Sequence, residues 1–356
     1  MAPSTSSGRR IGLTIGDPTG IGPEITVATL ASAPIEWRRR IVVYGDREPL
    51  ERAARAIQRS LPPELEIVGE GSGAGSVFGI PDERSGAAQV GYLEAAVAAA
   101  ARGELAGLVT APISKSWAKR AGFAFPGHTE MLAARLGTSD VVMMFAGPRL
   151  KVALATVHVP LAEVPRALTT PRIRKTLELV VAALVNDFGI AAPRVGVVGL
   201  NPHAGEGGLL GAEDRDVIAP ALAPLPPAAI VGPLVPDAAF RAALQGHHDA
   251  LIAMYHDQGL IPVKLIDFDD AVNMTLGLPI VRTSPDHGTA YDIAGRGVAR
   301  ATSMQRALAL AIEIVDRPEV AESRSELGVR ARCPHPPLCN VRPRADRSIG
   351  VRMLKQ

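Results

Sequence analysis

The 356-residue chain balances 38 basic against 36 acidic residues, and 47% of it is hydrophobic while 21% is charged. That composition excludes wholesale disorder, and the length admits two domains or one large α/β unit. Aromatics contribute only 4%, so Ala, Val, Leu and Ile must fill the core. The near-neutral total conceals an uneven distribution. Arg330 to Gln356 holds seven basic residues and one acidic, leaving 31 basic against 35 acidic elsewhere. A mildly acidic body lacks the positive surface of a nucleic-acid binder, so no nucleic-acid partner is expected. No apolar run reaches the roughly 18 residues of a membrane span, and no membrane partner is expected either. The opening MAPSTSSGRR lacks the apolar segment of a secretory signal, so residues 1–10 read as a disordered leader and 330–356 as a flexible basic tail. Both cysteines, Cys333 and Cys339, lie in that tail, where CPHPPLC has too few ligands and too many prolines for a structural zinc knuckle. A body free of cysteine fits a reducing, cytoplasmic location.

In chain order, short apolar runs end in turn residues, and helix-like stretches follow most of them. Ile11 to Ile15 runs into GDPTGIGPE, and Ile41 to Gly45 precedes an Ala-rich polar stretch. Leu105 to Pro112 leads into SKSWAKRAG, and Lys151 to His158 precedes a long amphipathic segment with Thr170 placed to cap it and Pro171 in its first turn. Arg194 to His203 and Asp249 to Gly259 complete the set of strands. Leu93 to Arg102 and Met304 to Val315 read as helices, while Ala219 to Pro233 reads as a connector. Apolar strands alternating with amphipathic helices predict an α/β fold with mainly parallel sheets covered on both faces.

Ligands of open α/β sheets bind beyond the carboxyl ends of strands. Three of the predicted strands run out at a histidine: His158, His203 and His256. Three imidazoles at equivalent strand ends would make a divalent-metal site with open positions, zinc before magnesium, manganese or cobalt. The alternative is three unrelated, hydrogen-bonded histidines. Asp257 and Glu206 follow two of them closely and could orient a ligating ring or move a proton, although Glu206 could equally start a helix. PGHTE sets His128 and Thr129 at a helix start suited to an anion, unless Thr129 is merely a cap. Lys264, Asn273 and Arg282 sit in or beside apolar runs, where a buried cation needs an anionic partner such as a substrate phosphate or carboxylate. The glycines of GDPTGIGPE do not follow the dinucleotide spacing G-x-G-x-x-G, so a Rossmann domain is not expected. They indicate only a close backbone approach.

Together, GDPTGIGPE, GHTE, NPHAGEGG, MYHDQGLIPVK and TLGLPIVRTSPDHGTAYDIAGRG resemble, in order, the signature set of the 4-hydroxythreonine-4-phosphate dehydrogenase family from about Ile11 to Leu327. The resemblance implies a two-domain fold like that of the isocitrate and isopropylmalate dehydrogenases. Residues 11–138 with 274–329 would form the nicotinamide side, and 139–273 the half carrying the metal ligands and dimer interface. It also implies a homodimer with its active sites in interdomain clefts at the subunit interface. The metal ligands map to His158, His203 and His256, and the substrate contacts to His128, Thr129, Lys264, Asn273 and Arg282. The segment His287 to Gly297 resembles an adenosine-side loop, which assigns NAD or NADP to His287, Gly288, Asp292 and Gly295. The implied reaction is metal-dependent oxidation of the C3 hydroxyl of 4-phosphooxy-L-threonine. Asp257 and Lys264 are the candidates for handling protons. The 3-keto acid product loses CO2 to give 3-amino-2-oxopropyl phosphate on the way to pyridoxal phosphate. Sister enzymes acting on 4-phospho-D-threonate, 4-phospho-D-erythronate or aromatic cis-dihydrodiols share the motif set. A phosphoacyltransferase-like or non-catalytic metal-binding protein is the reading from another class.

Overall fold

Eleven strands form one sheet with the order β3-β2-β1-β4-β11-β10-β5-β6-β9-β7-β8 in the computed structural model, which describes residues 9–69 and 71–317. The first eight residues and the segment after Arg317, with Cys333, Cys339 and the basic tail, lie outside the described residues. The strands are β1 (Ile11–Thr14), β2 (Ile41–Tyr44), β3 (Glu66–Val68), β4 (Gly107–Thr110), β5 (Val142–Ala146), β6 (Lys151–Leu154), β7 (Arg194–Val198), β8 (Ala229–Leu234), β9 (Ala250–Ala253), β10 (Val272–Leu276) and β11 (Val281–Ser284). The helices are α1 (Gly22–Ser32), α2 (Ile35–Arg38), α3 (Arg47–Ala56), α4 (Glu83–Ala101), α5 (Lys115–Arg120) and α6 (His128–Arg135). After them come α7 (Val164–Ala167), α8 (Thr170–Asn186), α9 (Ala219–Ala221), α10 (Pro236–Leu244), α11 (His256–Ile266) and α12 (Thr302–Val315). No described helix is long and apolar enough to cross a membrane.

The mostly parallel α/β architecture is as the sequence pattern predicted. β1, β2 and β4 are buried along their whole length, as strands covered on both faces must be. The sheet reverses at its centre, however. β10 is antiparallel to both β11 and β5, and β5 is antiparallel to β6. Two parallel blocks of opposite direction therefore meet at the β10–β5 pair. Here alternation of side chains gathers one face of the sheet. Asn273 pairs with Phe145 and with Ser284, Thr275 pairs with Met143, and Arg282 pairs with Leu108. Met143, Phe145, Asn273, Thr275, Arg282, Ser284 and, two residues beyond Leu108, Thr110 thus share a face.

Local chemistry fixes the helix starts. The α4 helix begins ten residues before the expected Leu93, where Asp82 accepts from the Ser85 amide at 2.7 Å and Ser85 returns a bond to the Asp82 amide at 3.0 Å. The cap of α8 is Thr169 rather than Thr170; it accepts from the Arg172 amide at 3.3 Å, while the Thr170 hydroxyl donates to the Val217 carbonyl. Three expected strands overran. β6, β7 and β9 stop at Leu154, Val198 and Ala253, so their histidines belong to the following turns and, for His256, to the first position of α11. The expected connector from Ala219 to Pro233 carries an edge strand, β8, which tolerates Pro233 because nothing pairs on its outer side.

Candidate active site

A cavity of about 430 Å³ opens over the shared face at the sheet centre. The sheet supplies Thr110, Met143, Phe145, Asn273, Arg282 and Ser284. Helix α11 lies across β6 and β9 and sends His256, Leu260 and Lys264, one turn apart, along its inner side. Its approach is close because residue 259 is glycine: a Cβ there would stand 2.7 Å from a Leu154 methyl. The starts of α5 and α6 add Lys115, His128, Thr129 and Glu130, and the turn after β11 adds Asp286, His287 and Gly288.

Several polar atoms around this space are buried without partners: His128 Nε2, Asn273 Oδ1, Arg282 Nε and His287 Nε2. Buried polar groups are ordinarily satisfied, so four orphans around one cavity mark a place where a ligand completes the bonding. Arg282 is only 4% exposed and bonds Thr275 Oγ1 at 3.1 Å and Thr110 Oγ1 at 2.8 Å, with no carboxylate at hydrogen-bond distance. Burial lowers its pKa to about 10, against the pull of Glu130. Burial, reinforced by Arg282 and Lys115, drives His128 down to about 3. His158 is lowered by burial and then by Lys115 and His256, and His287 is lowered by burial. These three rings are therefore neutral near pH 7. Lys264 pairs with Asp286 at 3.1 Å.

The structure brings together His128, Thr129, Lys264, Asn273, Arg282, His158, His256, His287 and Gly288. The His158 and His256 rings are 5.6 Å apart, centroid to centroid. Nδ1 of His256 bonds Asp257 at 2.7 Å, which turns its other nitrogen free for a ligand. Asp257 itself is not part of the cavity lining. His203 stands apart from the other two histidines, in an exposed left-handed run from His203 to Gly207, with Nδ1 on Glu206 at 2.5 Å, a bond that raises its pKa. Glu206 thus orients a ring and does not start a regular helix. Among the described residues, no three His, Cys, Asp or Glu side chains gather closely enough to enclose a metal within one chain. Asp292 and Gly295 lie outside the lining. Gly295, at φ +81, is required by the Phe78 ring, 2.7 Å from where its Cβ would be.

Two uncertainties of the sequence resolve structurally. Thr129 is no cap, because Gly127 holds that position of α6 with no side-chain bond to the helix amides. The GDPTG glycines serve chain packing: at Gly16 a Cβ would meet the Pro112 carbonyl at 2.2 Å, and at Gly20 the Thr289 carbonyl at 2.7 Å. Asp17, fully buried, accepts from Thr19 and from the Tyr291 hydroxyl at 2.7 Å, tying this turn to the 287–297 loop. Sequence reasoning missed Lys115, Glu130, Ser284 and Asp286. Lys115 lies five residues beyond the end of β4, so the strand-end rule that singled out the histidines points to its segment as well.

Fold and cavity define an α/β protein whose central pocket sets neutral imidazoles and two lysines around a buried guanidinium. The sequence matches the family described as "Pyridoxal phosphate biosynthetic protein PdxA" over residues 36–311, and the chain belongs to that family. Relatives include the 4-hydroxythreonine-4-phosphate dehydrogenases of Synechococcus sp. (strain JA-3-3Ab), 45% identical over 86% of this chain and 94% of that protein, and of Desulfosudis oleivorans, 46% identical over 85% and 95%. Among solved structures, 4-hydroxythreonine-4-phosphate dehydrogenase from Klebsiella pneumoniae superposes with a TM-score of 0.78 at 36% identity, covering 88% of this chain and all of that one. A terephthalate 1,2-cis-dihydrodiol dehydrogenase from Burkholderia xenovorans LB400 superposes at 0.62 with 31% identity, over 86% and 98%.

Proposed function

We propose that the chain is a metal-dependent, NAD- or NADP-linked dehydrogenase that oxidises the C3 hydroxyl of 4-phosphooxy-L-threonine in pyridoxal phosphate biosynthesis. The observation that carries the reading is Arg282, a buried guanidinium with no carboxylate at hydrogen-bond distance among the described residues, in a cavity ringed by orphaned polar atoms. A dianionic phosphate ester satisfies such a place, as would the carboxylates of an aromatic-acid dihydrodiol, and what favours the ester is the likeness to dehydrogenases named for one. Arg282, Asn273, His128 and Thr129 would bind the substrate, with Lys264 moving from Asp286 to reach it.

The donor set fits a divalent metal through His158 and His256, one ring neutral and the other held by a carboxylate on its far nitrogen. The third imidazole of the expected set, His203, does not meet them within one chain. A homodimer in which His203 of the partner subunit completes the site reconciles the two facts. Helix α11 supports that arrangement, since its outer side exposes Ile261 (59%), Leu265 (81%) and, just beyond it, Phe268 (63%), while its inner side lines the cavity. The halves 11–138 with 274–329 and 139–273 would then serve cofactor and metal respectively.

His158 and His256 would hold a metal able to polarise the C3 hydroxyl, and His287, Gly288, Asp292 and Gly295 would hold the NAD or NADP that accepts the hydride. The chain's own part is to orient and to move a proton. Lys264 would take the hydroxyl proton as the free amine, its own proton first passing to the Asp286 carboxylate 3.1 Å away. Asp257 acts by holding His256. The 3-keto acid product loses CO2 once formed. The deciding experiment measures NAD(P)H formation at about 340 nm with 4-phosphooxy-L-threonine, 4-phospho-D-threonate and a non-phosphorylated cis-dihydrodiol, after chelation and after metal add-back. Metal-dependent turnover of the L-threonine ester is expected. Turnover of another substrate alone moves the enzyme to a sister reaction, and silence with all three in folded, metal-loaded dimer overturns the reading.

A further inference from the structure

We propose that Lys115 is a further anion-binding residue of this cavity and strengthens its preference for a doubly charged phosphate ester, a role that rests on the dehydrogenase reading above. Five ionised side chains besides histidines line the space: Lys115, Lys264, Arg282, Glu130 and Asp286. Lys264 is neutralised by Asp286. Glu130 is the acidic group whose field acts on Arg282. The remaining charge is Lys115, which makes no ion pair with any carboxylate among the described residues. Without it, the lysine and arginine left in the lining are matched by its two carboxylates, and only a bound metal would remain to attract an anion.

Its position matches that task. Lys115 is the first residue of α5, fixed by the Ser114 hydroxyl that caps the helix. Its Nζ lies 3.8 Å from where a Cβ on Gly127 would stand, and its Cε 3.5 Å. Gly127 is the uncapped entry to α6, whose second residue is Thr129. An anion lodged at that helix start would therefore touch backbone amides, Thr129 and the Lys115 ammonium together. Glu130 Oε2 is also near, 3.3 Å from the same point, so Lys115 stands where it would offset that carboxylate for an arriving anion.

The test uses metal-replete protein, with 4-phosphooxy-L-threonine as substrate and inorganic phosphate as competing probe. Lys115→Met should raise KM for the ester and the inhibition constant of phosphate about tenfold to a hundredfold, the loss of one charge-assisted bond. The value of kcat should stay within about threefold, since the contact exists equally in ground and transition states. Lys115→Arg should recover most of the affinity. Lys119→Met, the same charge change on α5 outside the cavity lining, should change neither constant. Unchanged KM and phosphate inhibition in Lys115→Met overturns the proposal, as does an equal effect of Lys119→Met or a fall in kcat alone. Calorimetric titration of phosphate into wild type and Lys115→Met separates the two readings. Loss of phosphate binding in the variant supports Lys115 even where the wild type fails to oxidise the ester.

Discussion

At the scale of single residues, the site was readable wherever chemistry and burial conflicted. A lysine, an arginine and an asparagine in or beside apolar runs, and histidines near strand ends, had to have a reason, and most of them meet at one cavity. Arg282 shows the cost of that design. A buried guanidinium bonded only to two threonines is a destabilising element that function retains. Arg282→Met should leave the apparent melting temperature of the ligand-free protein unchanged or raise it, while kcat/KM falls by about a hundredfold or more, the loss of charge-assisted bonds. A melting temperature several degrees lower would refute this account. His128 carries a pH signature. Its folded pKa, about 3, lies below the ordinary value near 6.5, so the unfolded chain takes up a proton that the folded chain refuses. Stability contributed by neutral His128 is complete above about pH 6.5 and is lost as pH falls, by at most about 1.4 kcal/mol per unit, less because the ring edge meets solvent. His128→Asn should flatten the decline of the urea midpoint between about pH 6 and pH 4; an unaltered slope counts against it. What single residues did not disclose was Lys115, whose exposed position offers no conflict with its surroundings.

Elements were legible where their period was clean. Helix α12 and the body of α8 followed from spacing alone. Helix α11 did not, because Gly259 and Pro262 interrupt it and its core sequence GLIPVKL is nearly continuous in apolar residues. The glycine that hides the helix from a reader is also what lets it lie close on β6. Gly259→Val would drive methyl groups into Leu154, Val152 and Ala253. The helix must lift, with a cost of about 1–3 kcal/mol and a displacement of His256 and Lys264 together. Thermal unfolding several degrees lower and a fall in kcat/KM exceeding that of either His256→Ala or Lys264→Ala alone are expected. A stable, fully active variant would show that α11 does not position these residues jointly.

For the whole molecule, α/β alternation announced the class of fold but not the reversal at β10 and β5, because that pairing joins segments with more than a hundred residues between them. Nor could the spacing of the sequence place His203 relative to His158 and His256. The exposed stripe on α11 makes the assembly testable. Leu265→Glu combined with Phe268→Glu should convert a dimer to monomer in light scattering and reduce activity at least about tenfold, as expected when an apolar contact is replaced by facing like charges. A dimeric, active double variant would place the interface elsewhere.

The way β11 closes the first block has a consequence for synthesis. Gly107 of β4 waits for Val281 of β11, 174 residues later, and α12 covers the same region only after that. While the ribosome makes everything between, β4 leaves the exit tunnel as an open strand edge beside a finished hydrophobic layer. The nascent chain, not the mature enzyme, is thus the form most exposed to aggregation, and translation halted after β5 would yield a product for chaperones and proteases rather than an autonomous domain.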